Sequence, residues 1–295
     1  SDQHGGGFGG GAFGGTLNNC TLTSNSVPGN FCGGGAAGWS GKPCTLNNCT
    51  LTGNYAGAGG GASDCTLNNC TLSANAASAY GGGVAGGTLN NCTLTGNSAA
   101  GWQGGGGVAS GTLNNCIVYY NTAPVGANYC SGYYGSTLNY CCTTPLPASG
   151  VGNLDLEPQL ASASHLSANS PCGGQGTYAA VSGVDIDGEP WANPPAMGCD
   201  EYYSGSLTGA VTVAVLASYT NVATGFSVDF QGLISGRVSA SRWEFGDGTV
   251  VSNRPYASHG FSAAGDYPVV LRAYNESYPG GVTATVTVHV AAQPV

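Results

Sequence analysis

Residues 88–92 read Thr-Leu-Asn-Asn-Cys, and the same five residues occur at 16–20, 45–49, 66–70 and 112–116. A sixth copy at 137–141 reads Thr-Leu-Asn-Tyr-Cys. The final Cys of each copy follows its predecessor by 29, 21, 22, 24 and 25 residues. Periods of this length are typical of stacked repeats, in which each unit buries its apolar side chains only against its neighbours. The motif therefore predicts a solenoid over residues 1–145.

Each repeat contains short alternating runs separated by turn residues. In the run 92–95, Cys92 and Leu94 share one face and the two threonines share the other. The Asn pair indicates a turn, because Asn tolerates left-handed backbone, and Gly triplets such as 81–83 mark a second corner. Helical solenoids fit poorly, since Gly, Asn and Thr are weak helix formers. We therefore predict an all-β parallel β-helix.

Stacked turns of such a helix place equivalent residues about 4.8 Å apart, so like side chains form ladders. The predicted inward Leu ladders are Leu17, Leu46, Leu67, Leu89, Leu113 and Leu138, and Leu22, Leu51, Leu72 and Leu94. The predicted core Cys ladder is Cys20, Cys49, Cys70, Cys92, Cys116 and Cys141. An Asn ladder is expected at the following corner, where amides can satisfy backbone groups of adjacent turns. Its members are Asn25, Asn54, Asn75, Asn97 and Asn121.

The chain has 13 cysteines. Cys44 and Cys65 directly precede the motif in adjacent repeats, so their Cα atoms should lie within disulfide range. We predict a Cys44–Cys65 disulfide, with two unpaired thiols as the alternative. In-register parallel strands aim their Cβ atoms the same way, so most of the Cys ladder is expected to be reduced and buried. This cysteine use in a weakly charged chain indicates an extracellular, disulfide-permitting location.

The composition excludes several classes of partner. Charged residues make up 6% of the chain, the formal net charge is −9, and Lys42 is the single basic residue before Arg237. Nucleic-acid binding is excluded because too few cations are available to neutralise phosphates. No apolar stretch of about 18 residues is present, so no membrane insertion is expected. The chain begins at Ser1 in mid-pattern without a signal peptide, so we expect a processed or trimmed form.

The repeat core at 91–99, Asn-Cys-Thr-Leu-Thr-Gly-Asn-Ser-Ala, resembles repeats of large bacterial surface proteins. These include the polymorphic outer-membrane-protein and adhesin-like groups, and the resemblance covers roughly residues 5–145. It implies a right-handed parallel β-helix. Such helices carry adhesins and polysaccharide enzymes alike, so the resemblance indicates fold and leaves activity open.

Residues 146–205 follow the repeats and resemble the closing segment of bacterial β-helix proteins. The elements that carry this resemblance are Ser-Pro-Cys-Gly-Gly at 170–174, Asp-Ile-Asp-Gly-Glu-Pro at 185–190 and Met-Gly-Cys-Asp-Glu-Tyr at 197–202. Trp191 stands where that segment has Arg. The resemblance implies a cap folded over the last coil. Cys172 and Cys199 replace residues that are apolar or small there, and their joint appearance suggests a second disulfide, Cys172–Cys199.

Acidic residues are concentrated in this predicted cap. Functionally, such a group could hold Ca²⁺, which prefers clustered oxygen ligands. Turn formation and capping are the alternative, which we favour, so no metal or other cofactor is predicted. The acids are Asp155, Glu157, Asp185, Asp187, Glu189, Asp200 and Glu201.

Residues 206–295 have the alternating texture of antiparallel strands. The run 242–249, Arg-Trp-Glu-Phe-Gly-Asp-Gly-Thr, resembles the Trp-Asp-Phe-Gly-Asp-Gly signature of PKD domains, with Glu244 in place of the usual Asp. The resemblance implies an immunoglobulin-like β-sandwich that serves as a spacer or contact domain. Trp243 and Phe245 would fill its core, and Gly246, Asp247 and Gly248 would form a hairpin turn.

Catalytic groups are scarce in the repeats. Asp64 and Lys42 are the charged side chains of residues 5–150, and no Ser/His/Asp grouping or metal-ligand spacing is found. We therefore predict that the protein is not an enzyme. Asn-Cys-Thr at Asn19, Asn48, Asn69 and Asn91 fits a glycosylation sequon, which we interpret as a by-product of the ladder, while Asn275 is a freer candidate.

Aromatic residues suggest an alternative role. They could stack on sugars, or pack against a neighbouring subunit or the cap. The residues are Trp39, Trp102, Tyr119, Tyr120, Tyr129, Tyr133, Tyr134 and Tyr140. The preferred hypothesis is a secreted structural or adhesion protein that assembles with itself, head to tail, into a surface filament. The alternative is a carbohydrate-binding or spacer portion of a larger cell-surface protein.

Overall fold

The computed structural model describes residues 9–27, 29, 31–132 and 134–292. The chain forms two compact units. The first reaches Pro158 and includes Pro171–Glu201, and the second comprises Gln159–Ser170 and the chain from Tyr202 onward. The residues predicted as a separate cap are thus divided between the two units.

The first unit is a solenoid of short parallel strands. Its strands are β1 (Ala12–Phe13), β2 (Gly15–Asn18), β3 (Thr21–Thr23), β4 (Ala36–Ala37), β5 (Cys44–Asn47), β6 (Thr50–Thr52), β7 (Tyr55–Ala58), β8 (Ala62–Ser63), β9 (Cys65–Asn68), β10 (Thr71–Ser73), β11 (Ala76–Tyr80), β12 (Val84–Ala85), β13 (Thr88–Asn90), β14 (Thr93–Thr95), β15 (Ser98–Ala99), β16 (Val108–Ala109), β17 (Thr112–Asn114), β18 (Ile117–Tyr119), β19 (Thr137–Asn139) and β20 (Cys142–Thr143).

These strands stack into four sheets that run along the solenoid. Sheet A is β1-β4-β8-β12-β16, and sheet B is β2-β5-β9-β13-β17-β19. Sheet C is β3-β6-β10-β14-β18-β20, and the three-stranded sheet D is β7-β11-β15. Neighbours within a sheet are one turn apart, so six stacked strands span five turns. The predicted all-β solenoid is confirmed.

The repeated motif lies in register from turn to turn. In sheet B, Leu17 is opposite Leu46, and this pairing continues without a shift to Leu138. In sheet C, the second Leu ladder continues from Leu94 to Val118. These side chains and the Cys ladder form one apolar core, which is closed to water everywhere except near its first turn. In the motif, the second Asn or its equivalent Tyr140 adopts positive φ, which is the turn conformation that the Asn pair predicts.

The inner Asn ladder, defined as Asn25, Asn54, Asn75, Asn97 and Asn121, closes the next corner. Asn75 Nδ2 donates to Asn97 Oδ1 at 2.9 Å and to the Leu51 carbonyl at 3.0 Å. Asn75 Oδ1 accepts from the backbone and side-chain N–H groups of Asn54 at 3.0 and 2.9 Å. The ladder extends beyond the predicted residues, because Asn121 donates to Asn128 Oδ1 at 3.2 Å.

The Gly triplets turn the chain into sheet A. The first residue of each described triplet has positive φ, as Gly81 does at +64°. A Cβ on Gly82, the middle residue, would collide with the carbonyl oxygens of Ser98 and Gly106. This corner therefore excludes side chains, as the triplets predict.

The structure joins Cys44 to Cys65, the pair predicted from their positions, with a Cα–Cα distance of 4.7 Å. It does not join Cys172 to Cys199, and both remain buried thiols. That suggested disulfide is therefore corrected. Cys199 Sγ lies 3.2 Å from Thr71 Oγ1, so its side chain is directed at the solenoid surface.

Residues 150–156 cover the last turn of the solenoid. Leu154 forms a parallel bridge with Cys142, and the Leu154 N–H donates to the Cys141 carbonyl at 2.8 Å. Asn153 occupies the place of the next Cys in the Cys ladder, since its Oδ1 accepts from the Cys141 N–H and its Nδ2 donates to the Leu138 carbonyl. These groups are equivalent to the Cys20 N–H and the Leu17 carbonyl that Cys49 Sγ contacts. This short segment covers the final coil.

Residues 171–201, which we name the strap, run along the side of the solenoid instead of folding over its end. The strap includes a single 3-10 turn at Tyr178–Ala180. Its Gly198 N–H donates to the Asn115 carbonyl at 2.8 Å, and its Met197 N–H donates to the Cys172 carbonyl at 3.0 Å. The capping role implied for this segment is therefore corrected to a lateral covering of several turns.

The second unit contains a β-sandwich whose strands pair antiparallel except for β22 and β28, which are parallel. Its strands are β21 (Thr212–Ala217), β22 (Asn221–Ala223), β23 (Ser227–Ser235), β24 (Ala240–Glu244), β25 (Val250–Ser252), β26 (Tyr256–Gly260), β27 (Gly265–Asn275) and β28 (Tyr278–Ala291). One sheet is β21-β23-β26 and the other is β22-β28-β27-β24-β25. Residues 159–170 join this unit, since Ala161 packs with Val211, Val238 and Ala273.

The predicted signature residues occupy their expected places in the sandwich. Trp243 and Phe245 are buried, and Trp243 Nε1 donates to the Arg254 carbonyl at 2.8 Å. Gly246 and Gly248 have φ of +83° and +93° in the β24–β25 hairpin. Asp247 Oδ1 accepts from the Thr249 N–H at 2.9 Å, which holds the turn.

Candidate interaction surface

The first Asn of the first five motif copies forms a second amide ladder on the outer face of sheet B. Asn47 Nδ2 donates to Asn18 Oδ1 at 2.8 Å, and the next three steps along the solenoid repeat this bond at 2.8, 3.0 and 3.1 Å. We name these residues the outer Asn ladder: Asn18, Asn47, Asn68, Asn90 and Asn114. In the sequence, the Asn pair indicates a turn and does not by itself predict this ladder.

The outer Asn ladder retains unused hydrogen-bonding capacity. Each amide has two N–H donors and an oxygen with two lone pairs. Asn90 uses one N–H on Asn68 and one lone pair for Asn114. Within the described part of the chain, the second N–H of Asn90 and that of Asn114 have no protein acceptor. Both residues are partly exposed.

The second Asn of the second to fifth motif copies bonds to the strap. Asn115 makes two bonds with Thr177, since its Nδ2 donates to the carbonyl and its Oδ1 accepts from the N–H, both at 2.8 Å. Asn69 Nδ2 donates to the carbonyls of Ser182 and Val184 at 2.8 Å. Asn48 donates to the Val184 and Asp185 carbonyls. Side chains from three turns of the solenoid thus bind the strap between Thr177 and Asp185.

The strap also covers outward threonines of sheet C. Thr71 and Thr93 are 4% and 0% exposed, whereas the equivalent Thr21 of the first turn is exposed. Thr93 Oγ1 accepts from the Cys199 N–H at 3.1 Å. Burial raises the pKa of the Cys199 thiol to about 12, against the opposing effect of hydrogen bonds from Thr71 and Thr93, so this thiol stays protonated at neutral pH.

Two strap carboxylates bond to the strap's own backbone. Asp185 Oδ1 accepts from the N–H groups of Asp187 and Glu189, and its Oδ2 accepts from the Glu201 N–H. Glu201 Oε2 accepts from the Ala196 and Ala192 N–H groups. Burial raises the pKa of both carboxyls against these bonds. The contacts correspond to the turn-forming alternative stated above for these acids.

A cleft of about 390 Å³ lies between the outer Asn ladder and the strap. Asn90 and Asn114 form one wall, and the other consists of Thr177 and residues 179–182. The lining contains amides, hydroxyls and small apolar groups and no charged side chain. The bonds of Asn115 to Thr177 and of Asn69 to Ser182 hold the strap wall at both of its ends.

The aromatic residues considered for sugar stacking do not form one site. Trp39 and Trp102 are 56% and 77% exposed, but they lie on different turns of the solenoid. Tyr129 is in the core, Tyr134 stacks on Tyr80 at 4.4 Å, and Tyr119 contacts Tyr120 at 5.0 Å. Tyr140, near the last turn, packs its ring against Gly152. Tyr133 lies outside the described residues.

The sequons are turn or packing residues. Asn69 and Asn91 are 2% and 0% exposed, in line with the interpretation as by-products of the repeat. Asn275 is 3% exposed, and its Nδ2 donates to the Gly209 and Arg237 carbonyls. The expectation that Asn275 is a freer acceptor is therefore corrected, because its amide is held inside the fold.

Lys42 and Asp64, the two charged residues of the repeats, make different contacts. Lys42 Nζ lies 5.0 Å from the centre of the Phe13 ring, and Asp64 Oδ2 accepts from Ser63 Oγ at 3.3 Å. In the sandwich, His259 Nε2 lies 2.7 Å from Asp247 Oδ2, and the His259 ring stacks on Phe245. This histidine packs beside the signature turn, so its contact is a structural one.

Comparisons with known proteins address the second unit. Residues 212–290 match the family model described as the PKD domain, so the C-terminal sandwich is a PKD domain, as its signature predicts. The solution structure of the PKD domain from human VPS10 domain-containing receptor SorCS2 is similar over 30% of this chain and 76% of that chain. Its sequence identity is 22% and the TM-score is 0.24. No curated protein matches the chain. Among the described residues, no helix has the length and apolar character needed to cross a membrane.

Proposed function

We propose that this chain is a non-enzymatic extracellular structural or adhesion protein that assembles head to tail with copies of itself. One observation carries the assembly: within the residues that the structure describes, strands β1, β2 and β3 each have a sheet neighbour on one side only. An edge strand offers unpaired N–H and C=O groups to another strand. Asn25 Oδ1 lacks a described donor, although the equivalent oxygen of every other inner-ladder residue accepts from the preceding turn.

The two ends of the solenoid differ, which gives the assembly a direction. The last turn is covered by residues 150–156, whereas Leu17 and Cys20 of the first turn are only partly buried. The PKD domain supplies edge strands of its own, including β25 and β26. Pairing of unlike edges from successive copies is heterologous and produces open polymers. The occupant that we propose for the first-turn edge is thus the PKD domain of a second copy.

The extracellular and non-catalytic parts of the proposal have separate support. A PKD domain and the Cys44–Cys65 disulfide fit a surface protein in an oxidising compartment. The solenoid repeats have few groups able to transfer protons, and their buried amides and thiols belong to the inner Asn ladder and the Cys ladder. Such a surface suits contact better than general acid–base chemistry.

The assembly is tested by sedimentation and negative-stain imaging over a concentration series. We expect polymers for the natural chain and monomers for Leu17→Lys, which places a charge at the first-turn edge. Thr112→Lys adds the same charge on an exposed site away from that edge and should still polymerise. Circular dichroism verifies that both variants fold. A natural chain that stays monomeric at high concentration, or a Leu17→Lys chain that polymerises, would contradict the proposal.

A second candidate function, carbohydrate binding, is favoured by the exposure of Trp39 and Trp102. Exposed indole rings can stack on the apolar faces of sugars, and this requires no charged group. We expect a glycan array to detect binding that decreases in Trp39→Ala or Trp102→Ala. Unchanged binding in both variants would argue against a role for these rings.

A further inference from the structure

We propose that the cleft between the outer Asn ladder and the strap binds a short stretch of a neutral glycan. The inference rests on the second candidate function and gives it a site away from Trp39 and Trp102. Its starting point is a cleft whose walls combine a repeating amide ladder with a loop held by hydrogen bonds. No aspect of head-to-tail assembly is needed for it.

The cleft offers hydrogen bonds that suit sugar hydroxyls. A hydroxyl both donates and accepts, so its best partner is a group that does the same. Asn90 and Asn114 each have an N–H left over after the ladder bond, next to an amide oxygen with a spare lone pair. The two amides are one turn apart, or about 4.8 Å along the solenoid. They can therefore contact hydroxyls at two positions of an extended ligand.

The charge of the surroundings selects against anionic ligands. None of the residues lining the cleft is charged. A phosphate or carboxylate would lose hydration there without gaining a cationic partner, and such unpaired burial is costly. Neutral hydroxyl groups lose less, because the amides replace their water. Small apolar side chains at 179–181 can contact the C–H faces of a sugar ring.

The walls of the cleft are organised before a ligand arrives. Each outer-ladder amide is oriented by its neighbours in the ladder. The strap is held by the paired bonds between Asn115 and Thr177 and by the bond from Asn69 to Ser182. A site whose groups are already ordered loses less conformational entropy on binding than a mobile one. Asn90 and Asn114 are the outer-ladder residues that line this cleft.

The test uses the full chain and calorimetric titration with neutral cello-, chito- and manno-oligosaccharides, and with oligogalacturonate as an anionic comparison. We expect one neutral series to bind and the anionic one to bind at least about tenfold more weakly. The double variant Asn90→Ala/Asn114→Ala should lose about tenfold or more in affinity through its missing hydrogen bonds. Ala180→Trp, which fills the cleft but keeps the amides, should weaken binding similarly. Asn18→Ala, at the far end of the same ladder, should change affinity less than about twofold.

Several results would overturn the inference. These are an absence of binding to every neutral series, a preference for oligogalacturonate, or equal losses in the Asn18→Ala and double variants. Binding that falls in Trp39→Ala or Trp102→Ala but persists in both cleft variants would also overturn it, while leaving carbohydrate binding as a function. Sedimentation of the same samples reports on assembly independently.

Discussion

Asn75 shows at the residue scale why a weakly charged chain can form a rigid solenoid. Its side chain is 0% exposed, yet both of its polar atoms are used twice. Buried amides are destabilising unless they are hydrogen-bonded, and here the bonds also satisfy backbone groups at a corner. The inner Asn ladder thus replaces the regular hydrogen bonds that a turn interrupts.

Replacing Asn75 by Ala should destabilise the solenoid strongly. The change leaves the Asn54 N–H without its acceptor and removes the amide donor to the Leu51 carbonyl, and an unsatisfied buried group costs about 1–3 kcal/mol. We expect the free energy of unfolding from urea titration to fall by at least about 2 kcal/mol. Asn68→Ala removes an amide from the partly exposed outer ladder and should cost less than about 1 kcal/mol. Equal losses in the two variants would contradict this account.

Asp247 gives the PKD domain a pH dependence. Although its partial burial acts to raise it, the pKa of this carboxyl lies below its usual value because of hydrogen bonds from Thr249 and His259. A carboxyl with a lowered pKa in the folded state stabilises the fold above its unfolded pKa of about 3.9 and loses this effect as pH falls through the folded value. The hairpin should therefore loosen in acid below about pH 4.

Hydrogen exchange of the Phe245 and Thr249 amides tests this, after correction for intrinsic rates. Both amides belong to the turn, where Phe245 N–H donates to Thr249 O at 3.1 Å. We expect protection to decrease from pH 6 to pH 3 in the natural chain and much less in Asp247→Asn, which retains the Oδ1 acceptor. The same decrease in the variant would assign the effect to other carboxyls.

At the scale of elements, the strap is the feature that the sequence could not predict. The repeat predicted the strands and their register, because stacking identical motifs in register keeps every Leu and Cys on the core side of its strand. Residues 171–201 carry no such periodicity, and their resemblance to a closing segment implied a cap over the last coil. Their position depends on long-range bonds from Asn48, Asn69 and Asn115, which a local pattern does not specify.

The same reasoning explains the candidate site. The first Asn of each motif could be recognised as a periodic outward residue, but the cleft at Asn90 and Asn114 exists only because the strap lies beside them. The suggested Cys172–Cys199 disulfide failed for a related reason, since Cys199 is directed at Thr71 of the solenoid. By contrast, the Cys44–Cys65 disulfide joins positions that lie directly opposite each other in register, so the repeat alone was enough to predict it.

Replacing Asn115 by Ala should release one end of the strap wall. The variant loses both bonds to Thr177, whereas the register of sheet B is maintained by Leu113 and its neighbours. We expect faster hydrogen exchange at residues 176–182 and little change in β13 and β17. Asn114→Ala, one residue earlier on the outer ladder, serves as the matched control and should leave the strap protected. Unchanged exchange at 176–182 in Asn115→Ala would show that other contacts hold this segment.

At the scale of the whole molecule, two different strategies bury the apolar residues of one chain. The solenoid stacks small, nearly identical turns, and its core is a set of Leu and Cys ladders. The PKD domain instead packs two sheets around large aromatic rings, with Phe230, Trp243 and Phe245 in mutual contact. The stability of the solenoid is therefore distributed over many interfaces between turns, whereas that of the sandwich depends on one central cluster.

Reduction of the disulfide should shift the unfolding transition of the solenoid without shifting that of the PKD domain. Cys44–Cys65 closes a segment with a sequence separation of 21 residues, and a link of that length stabilises a fold by about 3 kcal/mol through restriction of the unfolded chain. Because both cysteines belong to the solenoid, calorimetry with a reductant should lower the midpoint of the solenoid transition and leave that of the PKD domain unchanged. Cys44→Ser/Cys65→Ser should reproduce the shift without reductant and become insensitive to it. A shift of the PKD transition instead would show that the stability of the sandwich depends on the first turns of the solenoid.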